Sequence, residues 1–213
     1  MVNRIIKPLK SRSLFLFGAR GVGKTTYLKS FLSDLRVLYF DLLDPELEDR
    51  FILEPALFKQ EVLQKKGSVD WVVVDEIQKC PKLLNLVHQL IESDKIKFAL
   101  TGSSARRLKQ KGINLLAGRA LVNFLFPFTH REFDTDLVNY LEWGSLPALI
   151  EMPSAEEKAA YLRSYALTYL KSEIQAEQWV RKLDPFRKFI QIAAQMNGKV
   201  LNYSNIAKDV GVD

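Results

Sequence analysis

Residues 18–25 read Gly18-Ala19-Arg20-Gly21-Val22-Gly23-Lys24-Thr25, a complete G-x-x-x-x-G-K-[ST] phosphate loop. No other stretch restricts the fold as strongly, because the pattern works only between a strand and a helix. Leu14 to Phe17 before it is a short apolar run that reads as a buried strand, and Thr26 to Leu32 after it carries apolar residues at helical spacing. The residue types suit a nucleoside triphosphate. Gly18, Gly21 and Gly23 let backbone N–H groups approach phosphate oxygens without a Cβ in the way. A helix starting near Lys24 aims its unsatisfied N–H groups and positive dipole end at the same oxygens. Lys24 adds a point charge for the β- and γ-phosphates, and the Thr25 hydroxyl suits Mg2+. The expected phosphate-binding set is Gly18, Ala19, Arg20, Gly21, Val22, Gly23, Lys24, Thr25 and Thr26.

Apolar runs alternate with helical patterns up to Pro127, which predicts a parallel sheet covered by helices. Strands are expected at 36–40, ending in Asp41, at 69–74, at 96–100 and at 121–126, where Pro127 closes the run. Between them, 47–63 reads as a helix that Pro55 interrupts or offsets, and Pro81 opens a helix with Leu83, Leu84, Val87, Leu90 and Ile91 on one face. Beyond Pro127 strands stop. Ser154-Ala155-Glu156-Glu157 is a capping box ahead of a helix bearing Leu162, Tyr165, Ala166, Tyr169 and Leu170. Asp184-Pro185 is expected to cap another, with Phe186, Phe189, Ile190, Ala193 and Met196 on one face and Gly198 at its end. The expected organisation is an α/β core over 1–133, a helical segment over 134–180 and a third segment over 181–213.

Composition bounds the partners. The net charge of +6 is compatible with nucleic acid without requiring it. One cysteine, Cys80, rules out an intramolecular disulfide and points to the cytoplasm, with an incidental structural role for that thiol. With only His88 and His130 beside it, no set has zinc-ligand spacing. Arg4, Lys7, Lys10 and Arg12 ahead of an apolar run mimic a signal peptide, but the run is too short and enters the phosphate loop directly. No stretch approaches the ~18 apolar residues of a membrane helix.

Val72-Val73-Val74-Asp75-Glu76 is a second motif, an apolar strand ending in two carboxylates. Asp75 at the tip suits outer-shell contact with Mg2+ beside Thr25, and Glu76 is the natural general base for an attacking water. A kinase needs no such base, and the Asn-Lys-x-Asp tetrapeptide by which GTPases read guanine is missing. Thr101-Gly102-Ser103-Ser104 follows the next strand, so Thr101 or Ser103 is a candidate to orient that water. Arg119, just before the last core strand, is the candidate cation for transition-state charge, in its own subunit or a neighbouring one. Arg106, Arg107, Lys109 and Lys111 form a basic run with either a solvated or a phosphate-contacting role.

These stretches together resemble the AAA+ superfamily, and more narrowly the bacterial and archaeal ATPases in which an AAA domain precedes a C-terminal domain of unknown function. The resemblance is carried by residues 17–26, Val74-Asp75-Glu76-Ile77-Gln78, Leu100-Thr101-Gly102-Ser103-Ser104, Leu116-Ala117-Gly118-Arg119, Pro127-Phe128-Thr129-His130-Arg131-Glu132-Phe133 and Gly144-Ser145-Leu146-Pro147. Ser145 stands where the family more usually has a second glycine. The resemblance implies ATP binding and hydrolysis, a five-stranded sheet of order 5-1-4-3-2, and a helical lid over 134–180; it says little about cellular role.

Leu201 to Asp213 resembles the first half of a winged helix-turn-helix, with Ser204 capping a short helix, Gly211 making the turn and Asp213 capping a recognition helix that does not follow. The chain is therefore expected to be truncated. Three functions stay open on these residues: an ATPase driving conformational change in a partner or an appended domain, with a protein partner or self-association open; a nucleotide switch with little turnover; and a DNA-associated ATPase. Glu76 favours the first, since a pure sensor needs no base.

Overall fold

The apolar runs become strands, and the three central ones are buried along their whole length, as a parallel sheet covered on both faces requires. The computed structural model describes residues 2–105, 108, 116, 118–169 and 183–211. Its first elements are β1 (Ser13–Phe17), α1 (Lys24–Phe31), β2 (Val37–Asp41), α2 (Pro45–Leu53), α3 (Pro55–Gln64) and β3 (Trp71–Asp75). After a 3-10 turn (Ile77–Lys79) come α4 (Leu83–Asp94), β4 (Phe98–Gly102) and β5 (Ala120–Phe124). Every residue of β1, β3 and β4 is buried. The five strands pair in parallel in the order β2-β3-β4-β1-β5, the expected 5-1-4-3-2 read from the other edge. Pro55 splits the long helical pattern into α2 and α3 because it sits at the first position of α3, where its missing N–H costs nothing. Phe40, Phe51 and Phe58 pack with ring centroids 5.2–5.5 Å apart and join these helices to β2.

The register decides what shares an edge. Phe17 lies beside Gly102 and Phe124, and Asp41 beside Asp75, so the C-terminal tips of all five strands line one side. Element ends differ from expectation by a residue or two. β3 starts at Trp71, because Val69 bridges back to Lys66 around Gly67 and Asp70 is held by Arg36. The helix after Pro81 starts at Leu83, and β4 runs on through Thr101 to Gly102.

The described chain divides into two compact units, Met1–Pro153 and Ser154–Asp213. Residues 134–153, assigned above to a lid, thus fall in the first unit, as α5 (Leu137–Trp143) and the short α6 (Pro147–Ile150). They are tied there by backbone and side-chain bonds: the Phe128 N–H donates to the Ser145 carbonyl at 2.9 Å, and the Tyr140 hydroxyl donates to the Phe128 carbonyl at 3.5 Å.

The second unit holds α7 (Ala155–Tyr169), α8 (Leu183–Gln195) and α9 (Tyr203–Val210). Ser154 Oγ accepts from the Glu157 N–H at 3.1 Å, the expected cap of α7. Two other caps differ. Asp184 lies inside the first turn of α8, where it accepts from Arg187. Asn202, not Ser204, caps α9 by accepting from the Asn205 N–H at 3.1 Å; an amide oxygen serves that position as well as a hydroxyl does. Gly211 ends α9 in the left-handed conformation, φ 78°, as the turn reading expects. Residues 170–182, which include Leu170 and the expected boundary at 180/181, together with Asp213 and the basic run of Arg106, Arg107, Lys109 and Lys111, lie outside the described residues.

Candidate active site

The phosphate loop spans β1 and α1, and each glycine has a separate reason to be one. A Cβ on Gly18 would sit 2.3 Å from the Leu125 carbonyl oxygen, so backbone crowding excludes any side chain. Gly21 and Gly23 adopt φ of 80° and 88°, the left-handed region that costs a side chain energy. Gly23 caps α1 and has no side chain with which to satisfy the helix's first N–H groups, which leaves them for an anion. Val22 is fully buried and fixes the loop from beneath, whereas Arg20 and Thr26 are exposed. Lys24 is buried, and its Nζ donates to the carbonyls of Gly18 at 2.9 Å and Ala19 at 3.3 Å.

The two acids at the tip of β3 occupy different surroundings. Asp75 is 3% exposed and accepts from three hydroxyls: Thr25 Oγ1 on Oδ2 at 2.7 Å, Tyr39 on the same Oδ2, and Thr101 on Oδ1. Burial, and then the hydrogen bond to Asp75, push the Tyr39 phenol well above its ordinary pKa, so it stays a donor at neutral pH. A hydroxyl that donates to a carboxylate keeps its lone pairs for a cation. Thr25 and Asp75 are thus hard oxygen donors of the kind Mg2+ accepts, and the residues present fit that ion. Among the described residues there is no cluster of three or more His, Cys, Asp or Glu side chains of the kind that holds a metal without a phosphate.

Glu76 turns away from the strand with φ 59° and ψ 47°, a left-handed conformation uncommon for a residue with a side chain. The Glu76 N–H donates to Thr101 Oγ1 at 2.9 Å, which anchors the turn to β4. Its Oε1 lies 3.7 Å from Lys24 Nζ and its Oε2 accepts from Gln78 Nε2. The base candidate therefore lies beside the lysine of the loop, where the end of a bound triphosphate would be.

The candidates on and near β4 separate. Thr101 is fully buried, and its hydroxyl is committed to Asp75 and to the Glu76 backbone; it positions both acids and faces no water. Ser103 is half-buried and accepts from Gln78 Nε2 at 3.4 Å. Arg119 is not at the loop. The register pairs Ala120 with Ser13, so Arg119 stands at the N-terminal ends of the strands, one strand length or about 15 Å from the phosphate loop. There it pairs with Glu92 on α4. This corrects the expectation that it could act in its own site; a role in a neighbouring subunit is the form that survives.

Sequence reasoning missed Tyr39, Gln78 and a clasp beneath the loop. Tyr39 carried a faint signal, a hydroxyl in the otherwise apolar Val37-Leu38-Tyr39-Phe40. In the clasp, Arg4 Nε donates to Glu132 Oε1 at 3.1 Å, Nη1 to the Val22 carbonyl at 3.4 Å and Nη2 to the Phe126 carbonyl. The Arg4 guanidinium also covers the Phe128 ring at 4.3 Å. Glu132 accepts further from the N–H groups of Ile5 at 2.7 Å and Thr129 at 3.0 Å. Burial opposes the Glu132 charge, but these two N–H groups and then Arg4 outweigh it and hold its pKa below the ordinary value. This accounts physically for the Pro127–Phe133 stretch: it binds the N-terminal arm to the last strand and, through Val22, to the loop. Cys80 is buried, its thiol pushed up by burial, in keeping with a structural role.

Known proteins share the fold of this chain. An uncharacterized protein of Methanocaldococcus jannaschii is 23% identical over 99% of this chain, which spans only 54% of that relative's own length. The Walker-type ATPase of Pyrococcus abyssi matches with a TM-score of 0.57 and 16% identity, covering 93% of this chain and 83% of that one; such a likeness shows the fold. No helix of the described residues is long and apolar enough to cross a membrane. Residues 134–213 match a domain of unknown function (DUF8612). Residues 10–134, more than half the chain, match the AAA domain, and the chain belongs to that family.

Proposed function

We propose that this chain binds ATP with Mg2+ and hydrolyses it, using the energy to change the conformation of a protein partner, an appended domain or its own assembly. The observation that carries the reading is the position of Glu76, a carboxylate 3.7 Å from the loop lysine and set apart from the buried Asp75. With nucleotide bound, Lys24 exchanges the Gly18 and Ala19 carbonyls for phosphate oxygens, and the α1 N–H groups meet the same charge. Thr25 and Asp75 would hold Mg2+, which would supply positive charge against the phosphate oxygens. Glu76 then takes a proton from the attacking water, while Thr101 keeps both acids in place.

Arg119 completes the charge stabilisation from a neighbouring copy. The buried single thiol supports a reducing, cytoplasmic setting. Glu76→Gln tests the reading directly: Mg-ATP turnover should fall by about 10²- to 10⁴-fold with nucleotide affinity retained. Unchanged turnover removes Glu76 as the base. ATP binding without turnover in any oligomeric state favours the nucleotide switch, and turnover stimulated by DNA at low salt favours the DNA-associated form.

A further inference from the structure

We propose that Gln78 is the positioning residue for Glu76, and that the tips of β3 and β4 are built around its carboxamide. The inference rests on the reading of Glu76 as general base. Gln78 sits in the 3-10 turn after β3 and is 5% exposed. Its Nε2 has two protons and two acceptors, Glu76 Oε2 and Ser103 Oγ at 3.4 Å. Its Oε1 is buried and accepts from nothing among the described residues. A half-satisfied amide in a core is costly, and an apolar side chain of the same length would avoid that cost.

The neighbouring backbone makes room for the amide nonetheless. A Cβ on Gly102 would stand 2.7 Å from Gln78 Oε1, so β4 ends in the residue that leaves the carboxamide its space. Packing alone therefore favours Met or Leu at position 78, and what the amide gains is its hold on Glu76. With Oε2 held by Gln78, the carboxylate cannot turn about its last bond, and Oε1 stays on the side of Lys24. The same amide links the base to Ser103, so the β4 tip and the base move together.

The test is Gln78→Met in the full chain, a substitution that keeps length and apolar volume. Turnover should fall about 10- to 100-fold, the cost of a misplaced reacting group. Affinity for a fluorescent, non-hydrolysed ATP analogue should stay within about twofold of wild type, since the phosphate loop is untouched. In the Glu76→Gln background, Gln78→Met should cost nothing further, because it acts only through that carboxylate. A readout independent of turnover is the Gln78 side-chain amide resonance, identified by its loss in Gln78→Met. It should shift when Glu76 is replaced by Ala. Wild-type turnover in Gln78→Met, a parallel loss of turnover and affinity, or an amide resonance indifferent to Glu76→Ala would each overturn the inference. If wild type shows no turnover, or Glu76→Gln turns over like wild type, the reading of Glu76 fails and the inference with it. If Glu76→Gln is slow and Gln78→Met is not, only the inference falls.

Discussion

Asp75 and Glu76 are adjacent in sequence and differ by one methylene, yet they sit in two different regions of the site. Asp75 ends a buried strand and is surrounded by hydroxyls from three elements, β2, α1 and β4. Glu76 leaves the strand through a left-handed turn and meets an ammonium and an amide instead. Fixed neutral donors keep a carboxylate in place for a cation that arrives with the substrate. A strained backbone and one anchoring amide aim a carboxylate while leaving an oxygen for proton transfer. Adjacent acids acquire separate surroundings because one peptide unit leaves the β conformation.

Four substitutions probe that contrast. The largest effect belongs to Glu76→Gln, which should lower turnover by about 10²- to 10⁴-fold with metal dependence unchanged; a shift in the Mg2+ requirement would blur the division. Asp75→Asn should show the converse, raising the Mg2+ needed for half-maximal nucleotide binding by about 10- to 100-fold, measured by titration with a fluorescent analogue. Tyr39→Phe removes one hydrogen bond on the Asp75 side alone and should raise the same Mg2+ requirement roughly fivefold, the equivalent of about 1 kcal/mol. An effect of Tyr39→Phe on turnover at saturating Mg2+ would place the phenol on the Glu76 side instead.

The smallest effect on the site is expected from Glu132, which touches neither acid. Its pKa in the fold lies below the ordinary value of about 4.3. Its contribution to stability is therefore complete above that value and is lost as pH falls through the folded value. Thermal unfolding followed against pH should show wild type more stable than Glu132→Gln at neutral pH, with the gap closing in acid. Metal dependence and turnover per folded molecule should not change.

Much of the fold was legible because its signals are local. The phosphate loop, the buried runs of β1, β3 and β4, the acid pair and the Ser154 cap each lie within a few consecutive residues, where periodicity and side-chain chemistry act directly. Tyr39 was not legible, since its hydroxyl reaches Asp75 only because β2 pairs with β3, and thirty-six positions separate the two. The Arg4–Glu132 clasp joins the ends of the first unit across 128 positions. Asn202 took the cap expected of Ser204 because the helix began two residues earlier, and either side chain offers an acceptor oxygen. Arg119 was misplaced for its own site because proximity to a strand in sequence says nothing about which end of the sheet it occupies; the Ser13–Ala120 register does.

The sequence by itself determined the class of ligand, the strand–loop–helix that receives it and the two acids that follow, since glycine, lysine, hydroxyl and carboxylate have few other uses at that spacing. Only the tertiary structure decided the separate surroundings of those acids, the burial of Thr101 between them and the distance of Arg119 from the loop. These depend on which strand tips are brought side by side and on one left-handed turn, and such non-local geometry has no signature along the chain.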